Sequence, residues 1–203
     1  MTVLAIDTST SEASVALLVD GQLVLERRFA ADRSHSASLF AVLEEARQHI
    51  ERADRIAVGL GPGSYAGIRI AIAAALGLEL SLGAELVGLT SVVALETEVP
   101  RYITIGDARR ETFYWTRIED HRSVEGPLLV SAAELETKLA QFPDDPIFAT
   151  APLPQFPQAR VALPSAATLA RLAAAETSIV ARGDLEPIYL REPHITQPKP
   201  RAK

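Results

Sequence analysis

An Asp-Gly pair between two apolar runs is the feature that most constrains the fold of this chain. Asp20-Gly21 separates residues 14–19 from residues 22–29, and a two-residue hairpin turn with positive φ at both central positions favours this pair. Residues 3–6 form an earlier apolar run. The sequence therefore predicts three antiparallel strands at the start of the chain.

Helical periodicity begins after this hairpin. Residues 55–60 have the composition of a strand, Ser64 is a candidate N-cap for the helix that follows, and residues 85–89 form a further strand candidate. The first predicted helix has an apolar stripe formed by Leu39, Leu43, Ala46 and Ile50. The second predicted helix has a face of small residues formed by Gly67, Ala71, Ala74, Ala75 and Leu78. Small residues of this kind allow another helix to approach closely.

A new series of predicted strands and helices begins near Pro100, which is the predicted lobe boundary. A short helix is expected over residues 92–98 before it, and strands over 102–105 and 112–118 after it. Ser131 and Glu134 form a capping-box pattern that predicts a helix over 132–142. The remaining candidates are short strands at 147–149 and 161–163, a helix at 166–176 and a short segment at 187–191. We expect an α/β fold with two small lobes and mixed sheets, divided as 1–99 and 100–192, followed by a disordered Pro-rich basic tail, 193–203.

Composition excludes several classes of function. The chain of 203 residues has no cysteine, which rules out disulfides, thiolate metal sites and cysteine nucleophiles. Its net charge of −6 disfavours direct, strong binding of tRNA or other nucleic acid. The apolar stretch 68–82 is interrupted by charged residues, and the first residues lack a signal-peptide pattern, so no membrane association and a cytoplasmic location are expected. The four histidines are scattered, and no metal site is predicted.

Two loops could hold phosphate or nucleotide. Asp7, Thr8 and Ser9 follow the first strand, and hydroxyls with a carboxylate suit phosphate or Mg²⁺. Gly61, Gly63 and Ser64 lie in a glycine-rich turn before a helix, although its spacing fits neither the dinucleotide fingerprint nor the Walker loop. Ordinary turn chemistry is the alternative for both loops.

A charged turn in the second half is a further candidate. It comprises Asp107, Arg109, Arg110 and Glu111, with Tyr114 in the strand that follows. A solvated hairpin with internal ion pairs and a docking surface for a partner are both consistent with this composition.

Four segments together carry a resemblance to a known family. They are Leu4-Ala5-Ile6-Asp7-Thr8-Ser9, residues 59–70 around Gly61-Pro62-Gly63-Ser64, Asp107-Ala108-Arg109-Arg110-Glu111 with Tyr114, and Pro187-Ile188-Tyr189-Leu190-Arg191. In order and spacing they resemble the bacterial tRNA threonylcarbamoyladenosine biosynthesis family TsaB, also called YeaZ, of the actin-like superfamily. The resemblance implies an actin-like, ribonuclease H-like fold.

The resemblance also implies a function and partners. A member of this family is a non-catalytic scaffold or activator that binds a larger catalytic paralogue, TsaD, which modifies adenosine beside the tRNA anticodon, while an ATPase component, TsaE, joins the complex. The family pairs two helices of each protein in a four-helix bundle, which would place the two stripes described above at the interface. No cofactor is required by the chain itself, and ATP or ADP at a partner interface and a homodimer are both left open.

The resemblance further implies that a metal site has been lost. The family's catalytic paralogue holds a metal with a His-x-x-x-His pair, and the corresponding stretch here is His35-Ser36-Ala37-Ser38-Leu39. Leucine in place of the second histidine breaks the pair. The alternative function is a free-standing ATP-binding phosphotransferase of the actin and sugar kinase superfamily, suggested by Asp7-Thr8-Ser9 and the glycine loop.

Overall fold

The computed structural model describes residues 1–30 and 35–190, without the side chains of His35 and Ser36. The predicted tail, 193–203, lies outside these residues. The strands are β1 (Thr2–Asp7), β2 (Glu12–Val19), β3 (Gln22–Ala30), β4 (Arg55–Gly59), β5 (Glu85–Leu89), β6 (Arg101–Asp107), β7 (Thr112–Glu119), β8 (Arg122–Ser131), β9 (Ile147–Ala149), β10 (Arg160–Val161) and β11 (Ile179–Arg182). The helices are α1 (His35–Arg47), α2 (Tyr65–Leu82), α3 (Ala132–Ala140) and α4 (Ala166–Ala174), with a 3-10 helix at Ser91–Ala94.

The first sheet has the strand order β11-β5-β4-β1-β2-β3. Strands β1, β4 and β5 run parallel to one another, whereas β1, β2 and β3 form an antiparallel meander. Asp20 and Gly21 both have positive φ, 49° and 80°, in the turn between β2 and β3. The predicted opening hairpin and mixed sheet are thus confirmed, and the Asp-Gly turn is their cause.

Helices cover both faces of this sheet, and β1 is therefore buried on both of its sides. Leu4 and Ile6 face the cluster that holds α1 and α2, while Val3 and Ala5 face the cluster that holds α4. The alternation follows from the period of two in a strand. Helix α2 begins with Ser64 as its N-cap, as predicted, and ends at Gly83 in the left-handed conformation.

The second sheet has the order β10-β9-β6-β7-β8. Its outer face packs on α3, which begins with the predicted capping box: Ser131 Oγ accepts the amide of Glu134, and the Glu134 carboxylate accepts the amide of Ser131. Its inner face contributes Tyr102, Ile118 and Phe148 to the same cluster as α4. One apolar cluster therefore contains residues of both sheets and of α4.

The predicted division at residues 99 and 100 needs a correction. The second sheet does begin at Arg101, but α4 packs on β1 and β2, and β11 pairs with β5 in the first sheet. The segment 100–192 is therefore not one lobe, because its last third returns to the first sheet. Strand β11 was missed, although Ile179-Val180-Ala181 has the short apolar run of a strand.

One predicted helix, one missed strand and one predicted helix position also differ from the structure. The helix expected over 92–98 is only the 3-10 turn at Ser91–Ala94, because Leu95 bridges to Pro164 in extended conformation. Strand β8 was not predicted because Gly126-Pro127 interrupts its pattern and most of its residues are exposed on an edge. Ile50 lies beyond the end of α1 at Arg47.

Arg55 fastens the returning segment to the first sheet. Its Nε donates to Glu85 at 2.8 Å, its Nη1 donates to the carbonyl of Ala173 at 2.7 Å, and its Nη2 contacts Glu176. The Arg55 side chain is only 11% exposed. A buried guanidinium with three acceptors links β4, β5 and the end of α4, so that its loss would remove all three contacts at once.

We expect Arg55→Gln to lower the free energy of unfolding by about 2–3 kcal/mol, because a buried charged donor and its geometry are lost. The matched control is Arg182→Gln. Arg182 pairs with the same two glutamates from a side chain that is 44% exposed, so its loss should cost under about 1 kcal/mol. Urea unfolding of both variants measures the difference, and equal losses would contradict the assignment.

Candidate functional site

The two predicted phosphate loops meet at one edge of the first sheet. Strands β1 and β4 are parallel neighbours, so the residues after Asp7 and after Gly59 emerge side by side. The amide of Ser64 donates to the carbonyl of Ser9 at 2.7 Å, and Thr8 Oγ1 donates to the carbonyl of Gly67 at 2.7 Å. The structure therefore brings together Asp7, Thr8, Ser9, Gly61, Gly63 and Ser64.

Glycine is required in this turn by close packing of the backbone. A Cβ at Gly63 would lie 2.1 Å from the carbonyl oxygen of Ser9, and a Cβ at Gly67 would lie 2.1 Å from that of Thr8. Both obstacles are backbone atoms, which cannot rotate away. The glycines let α2 approach the first loop, a role that differs from exposing amides to an anion.

The polar groups of the two loops are largely engaged with one another. Asp7 Oδ1 accepts the amide of Ser9 at 2.9 Å and its hydroxyl at 2.6 Å. The amide of Gly61 donates to Ser91 Oγ at 3.0 Å, and the amide of Gly67 donates to Ser64 Oγ at 3.2 Å. A phosphate needs free donors that converge on one point. The donors named here are already used within the chain, and a phosphate role for the two loops stays a prediction.

Asp7 has a buried carboxylate oxygen that faces Ser91. Its side chain is buried, and within residues 1–30 and 35–190 its Oδ2 has no hydrogen-bond partner. A Cβ at Gly59 would lie 1.9 Å from this oxygen and 2.6 Å from Ser91 Oγ, so both groups line one small space. Burial raises the pKa of Asp7, opposed by the Ser9 hydroxyl and amide and by the nearby Ser91 hydroxyl.

Ser91 is a site residue that the sequence reasoning missed. It opens the 3-10 helix after β5, whose carboxyl end lies at the same edge of the sheet as those of β1 and β4. A hydroxyl directly after a buried parallel strand was the available signal. The predicted helix over 92–98 begins after Ser91, so Ser91 falls in the connection before that helix and is not among the predicted site residues.

Most of the residues predicted for the partner interface lie in the core of the chain itself. Leu39, Leu43, Ala46, Gly67, Ala71, Ala74 and Ala75 are buried against the first sheet, while Ile50 and Leu78 are half-buried. The two stripes are the inner faces of α1 and α2. A buried side chain offers no area to a partner, so only its exposed neighbours could contact one.

The outer surface of α1 and α2 forms an apolar groove of about 570 Å³. We call it the α1–α2 groove, and its lining residues are Phe40, Leu43, Glu44, Arg47, Ile70, Ala73, Ala74, Gly77 and Leu78. Phe40 is 56% exposed beside it, and Leu80, on the last turns of α2, is 89% exposed. Helix α2 is long and apolar enough to cross a membrane by length and composition, but its inner face packs on the sheet as in a core helix.

The charged turn between β6 and β7 is exposed, but Tyr114 is not part of its surface. Asp107, Arg109, Arg110 and Glu111 lie at the surface, and Asp107 Oδ1 accepts the amide of Arg109 at 2.6 Å. Tyr114 is buried behind Gly106, where a Cβ would meet its ring at 2.2 Å. Burial raises the pKa of Tyr114. A docking role for the turn stays a prediction.

A metal site is not formed by the residues that the structure describes. Among 1–30 and 35–190, no three or more His, Cys, Asp or Glu side chains are grouped to hold an ion. Leu39, which stands where a second histidine would lie in the His-x-x-x-His pattern, is fully buried in the core. This position is therefore used for packing.

Comparisons with known proteins agree with this architecture. A family model described as TsaD, tRNA N6-adenosine threonylcarbamoyltransferase, matches residues 29–175. The tRNA threonylcarbamoyladenosine biosynthesis protein TsaB of Haemophilus influenzae is 27% identical over 222 residues, which cover 94% of this chain and 94% of that protein. This chain belongs to the TsaB/YeaZ family. An uncharacterized protein of Mycobacterium tuberculosis is 32% identical, over 95% of this chain and 92% of its own length.

Solved structures of the family show the same fold. A Pseudomonas aeruginosa protein described as similar to the peptidase YeaZ superposes with a TM-score of 0.75 at 27% identity, over 94% of this chain and 99% of its own. YeaZ from Pseudomonas aeruginosa superposes with a TM-score of 0.70 at 24% identity, over 93% of this chain and 100% of its own. The expected actin-like α/β fold of the TsaB/YeaZ family is confirmed.

Two glycines of α2 provide a test of the packing at the loops. Gly67→Ala should lower the free energy of unfolding, because its Cβ would overlap the carbonyl of Thr8. Gly77→Ala makes the same change in the same helix with no atom within 4 Å of the new Cβ, and should raise it by about 0.5–1 kcal/mol. Chemical denaturation measures both values. Equal signs for the two changes would refute the packing role of Gly67.

The buried carboxyl of Asp7 should leave a signature in the pH dependence of stability. The pKa of Asp7 in the folded chain lies above the ordinary 3.8. At a pH between the unfolded and the folded pKa, the folded chain therefore holds a proton that the unfolded chain has lost. The free energy of unfolding should therefore fall as pH rises through this window. Asp7→Asn should gain stability relative to the unchanged chain as the pH rises above the ordinary value of 3.8.

Urea unfolding across this pH range tests the Asp7 prediction. Asp144→Asn, an exposed aspartate in the loop before β9, controls for the loss of one negative charge. A stability difference between Asp7→Asn and the unchanged chain that stays constant with pH would contradict the assignment.

Proposed function

We propose that this chain is a non-catalytic partner subunit in the formation of tRNA N6-threonylcarbamoyladenosine, and that it acts by binding a larger paralogous protein through the α1–α2 groove. The observation that carries the proposal is this groove, an exposed apolar surface on a helix pair whose other face already packs on the sheet. Contiguous apolar surface rimmed by polar groups is typical of protein interaction sites.

The relatives supply the class of partner. TsaB proteins are named for threonylcarbamoyladenosine biosynthesis, and the family model that matches most of this chain is that of the transferase TsaD. The TsaD-type transferase of Thermosipho africanus is 33% identical over 112 residues, 46% of this chain and 34% of that protein. A larger protein with a homologous helix pair could meet this one face to face, groove against groove.

The composition of the outer face supports such packing. Ala73 and Gly77 lie one turn apart in the lining of the groove, where the lack of bulk allows a close helix approach. Phe40, Leu76 and Leu80 are exposed large apolar residues on the same helices, and Glu44 and Arg47 supply a polar rim. An apolar centre with charged edges is the usual anatomy of an interface.

The loops at the edge of the sheet support a non-catalytic role. Their hydroxyls and amides hold β1, β4 and α2 together, and this internal use competes with binding a phosphate. We infer that the chain contributes structure and that the paralogous transferase contributes the reacting groups. In this proposal the ATPase component TsaE joins the pair, and the exposed turn around Arg109 and Arg110 is a candidate contact.

The decisive substitution is at an exposed position of the groove. Ala73→Glu should weaken binding to the paralogous transferase by on the order of 10- to 100-fold, because a carboxylate would be buried in an apolar contact. Ala133→Glu, on the exposed face of α3, is the matched control and should leave affinity unchanged. Ala71 and Ala75 are unsuitable for this test, because both are fully buried and a charge there would disturb folding.

Calorimetric titration of the two purified proteins measures the affinity. Reconstitution with the ATPase component, the threonylcarbamoyl donor and tRNA, omitting one component at a time, tests the role of the chain. Modification of tRNA that is equally fast without this chain, or turnover by this chain alone, would refute the proposal.

A further inference from the structure

Two exposed tyrosines and an arginine form an ordered cluster at the start of α2. Arg69 Nη1 donates to the hydroxyl of Tyr65 at 2.9 Å and to that of Tyr189 at 3.1 Å. The two rings lie 5.6 Å apart, and the Arg69 guanidinium carbon is 5.2 Å from the Tyr65 ring centroid. Tyr65 and Tyr189 are 54% and 42% exposed. We call these three residues the Tyr-Arg-Tyr cluster.

The cluster joins two distant parts of the chain. Tyr65 and Arg69 are one turn apart on α2, and Tyr189 follows β11 in the segment that returns to the first sheet. The amide of Ile188 donates to the carbonyl of Leu60 at 2.9 Å, which fixes the backbone beside Tyr189 to the glycine turn. The tyrosines therefore hold the arginine in one orientation before any ligand arrives.

The Arg69 guanidinium has N–H groups that the described residues do not use. Two phenol hydroxyls share Nη1, and hydrogen bonding to Tyr189 raises the pKa of Arg69. Among residues 1–30 and 35–190, Arg69 has no carboxylate within ion-pair distance and its Nε and Nη2 make no hydrogen bond. A guanidinium fork with free, adjacent N–H groups matches a carboxylate in geometry.

We propose that the Tyr-Arg-Tyr cluster binds a carboxylate of the protein that occupies the α1–α2 groove. This inference rests on the proposed function, which supplies the partner, and adds the chemistry by which one end of the interface is anchored. The cluster would accept an Asp or Glu side chain of the paralogous transferase on the free edge of Arg69, with the phenol hydroxyls as further donors. Tyrosine and arginine are among the residues most enriched in binding hot spots.

Position along α2 favours this occupant. Arg69, Ala73 and Gly77 follow one another at four-residue spacing, so the cluster continues the row that lines the groove. A phosphate of RNA would offer similar oxygens, but the chain carries a net charge of −6, which disfavours a polyanion more than one carboxylate embedded in an apolar contact.

The test is the affinity for the purified TsaD-type transferase at about 50 mM and about 500 mM NaCl. Arg69→Gln should weaken binding about ten-fold at low salt and less at high salt, because an ion pair is lost. Arg69→Lys should restore only part of the affinity, because a lysine lacks the planar fork. Tyr65→Phe with Tyr189→Phe, which keeps both rings, should weaken binding about two- to three-fold through loss of the tether.

Arg160→Gln is the matched control, because Arg160 lies at the surface in β10 on the second sheet and the charge change is the same. If Ala73→Glu disrupts the complex while Arg69→Gln behaves like Arg160→Gln, the carboxylate site is refuted and the groove stands. If the unchanged chain does not bind the transferase, both proposals fail. If Arg69→Gln weakens binding of labelled tRNA to the complex but leaves the affinity between the two proteins unchanged, a phosphate is the ligand and the proposal is overturned.

Discussion

The close contact between α2 and the loop after β1 is the constraint on which the rest of the structure depends. The Ser64 amide donates to the Ser9 carbonyl and the Thr8 hydroxyl donates to the Gly67 carbonyl, and only glycine at positions 63 and 67 leaves room for this approach. The contact fixes the start of α2 relative to β1. Since α2 then crosses the sheet to β5, it also sets the position of the groove on its outer side.

The two faces of α2 have different roles, and this distinction links the fold to the proposed function. The inner face consists of small and branched residues packed on the sheet, including Ile68, Ala71 and Ala75. The outer face is still apolar, and nothing in the described part of the chain covers Leu76 or Leu80. A soluble helix that needed only its own core would present a polar outer face.

Sequence reasoning succeeded where a short local pattern determines the backbone. The Asp20-Gly21 turn, the Ser64 cap and the Ser131–Glu134 capping box each act within four residues, so the pattern alone identifies them. It failed where contacts between residues far apart in the sequence determine the structure. Strand β8 is an exposed edge with Gly126-Pro127 in it, and β11 joins the first sheet only because α4 brings the chain back. Neither condition can be read from local periodicity.

The candidate functional site shows the same difference between what a local pattern predicts and what distant contacts determine. That Asp7-Thr8-Ser9 and the glycine turn lie together could be predicted from parallel strands that end at one edge. That their donors satisfy one another could not, because it depends on atomic distances between segments far apart in the sequence. The stripe of small residues was predicted as a partner interface, and most of it is buried in the core of the chain itself. Which side of the helix it packs against was decided by burial, which the sequence pattern does not report.

The apolar cluster that the two sheets share has a mechanical consequence. Val3 and Ala5 from one sheet share this cluster with Tyr102 and Phe148 from the other, and Ala170 of α4 is fully buried in it. A two-lobed phosphotransferase works by swinging its halves apart and together around the substrate. Here such a motion would expose continuous apolar packing to water, at a free-energy cost of about 25 cal/mol for each Å² exposed. The apolar cluster shared by the two sheets therefore opposes such an opening motion.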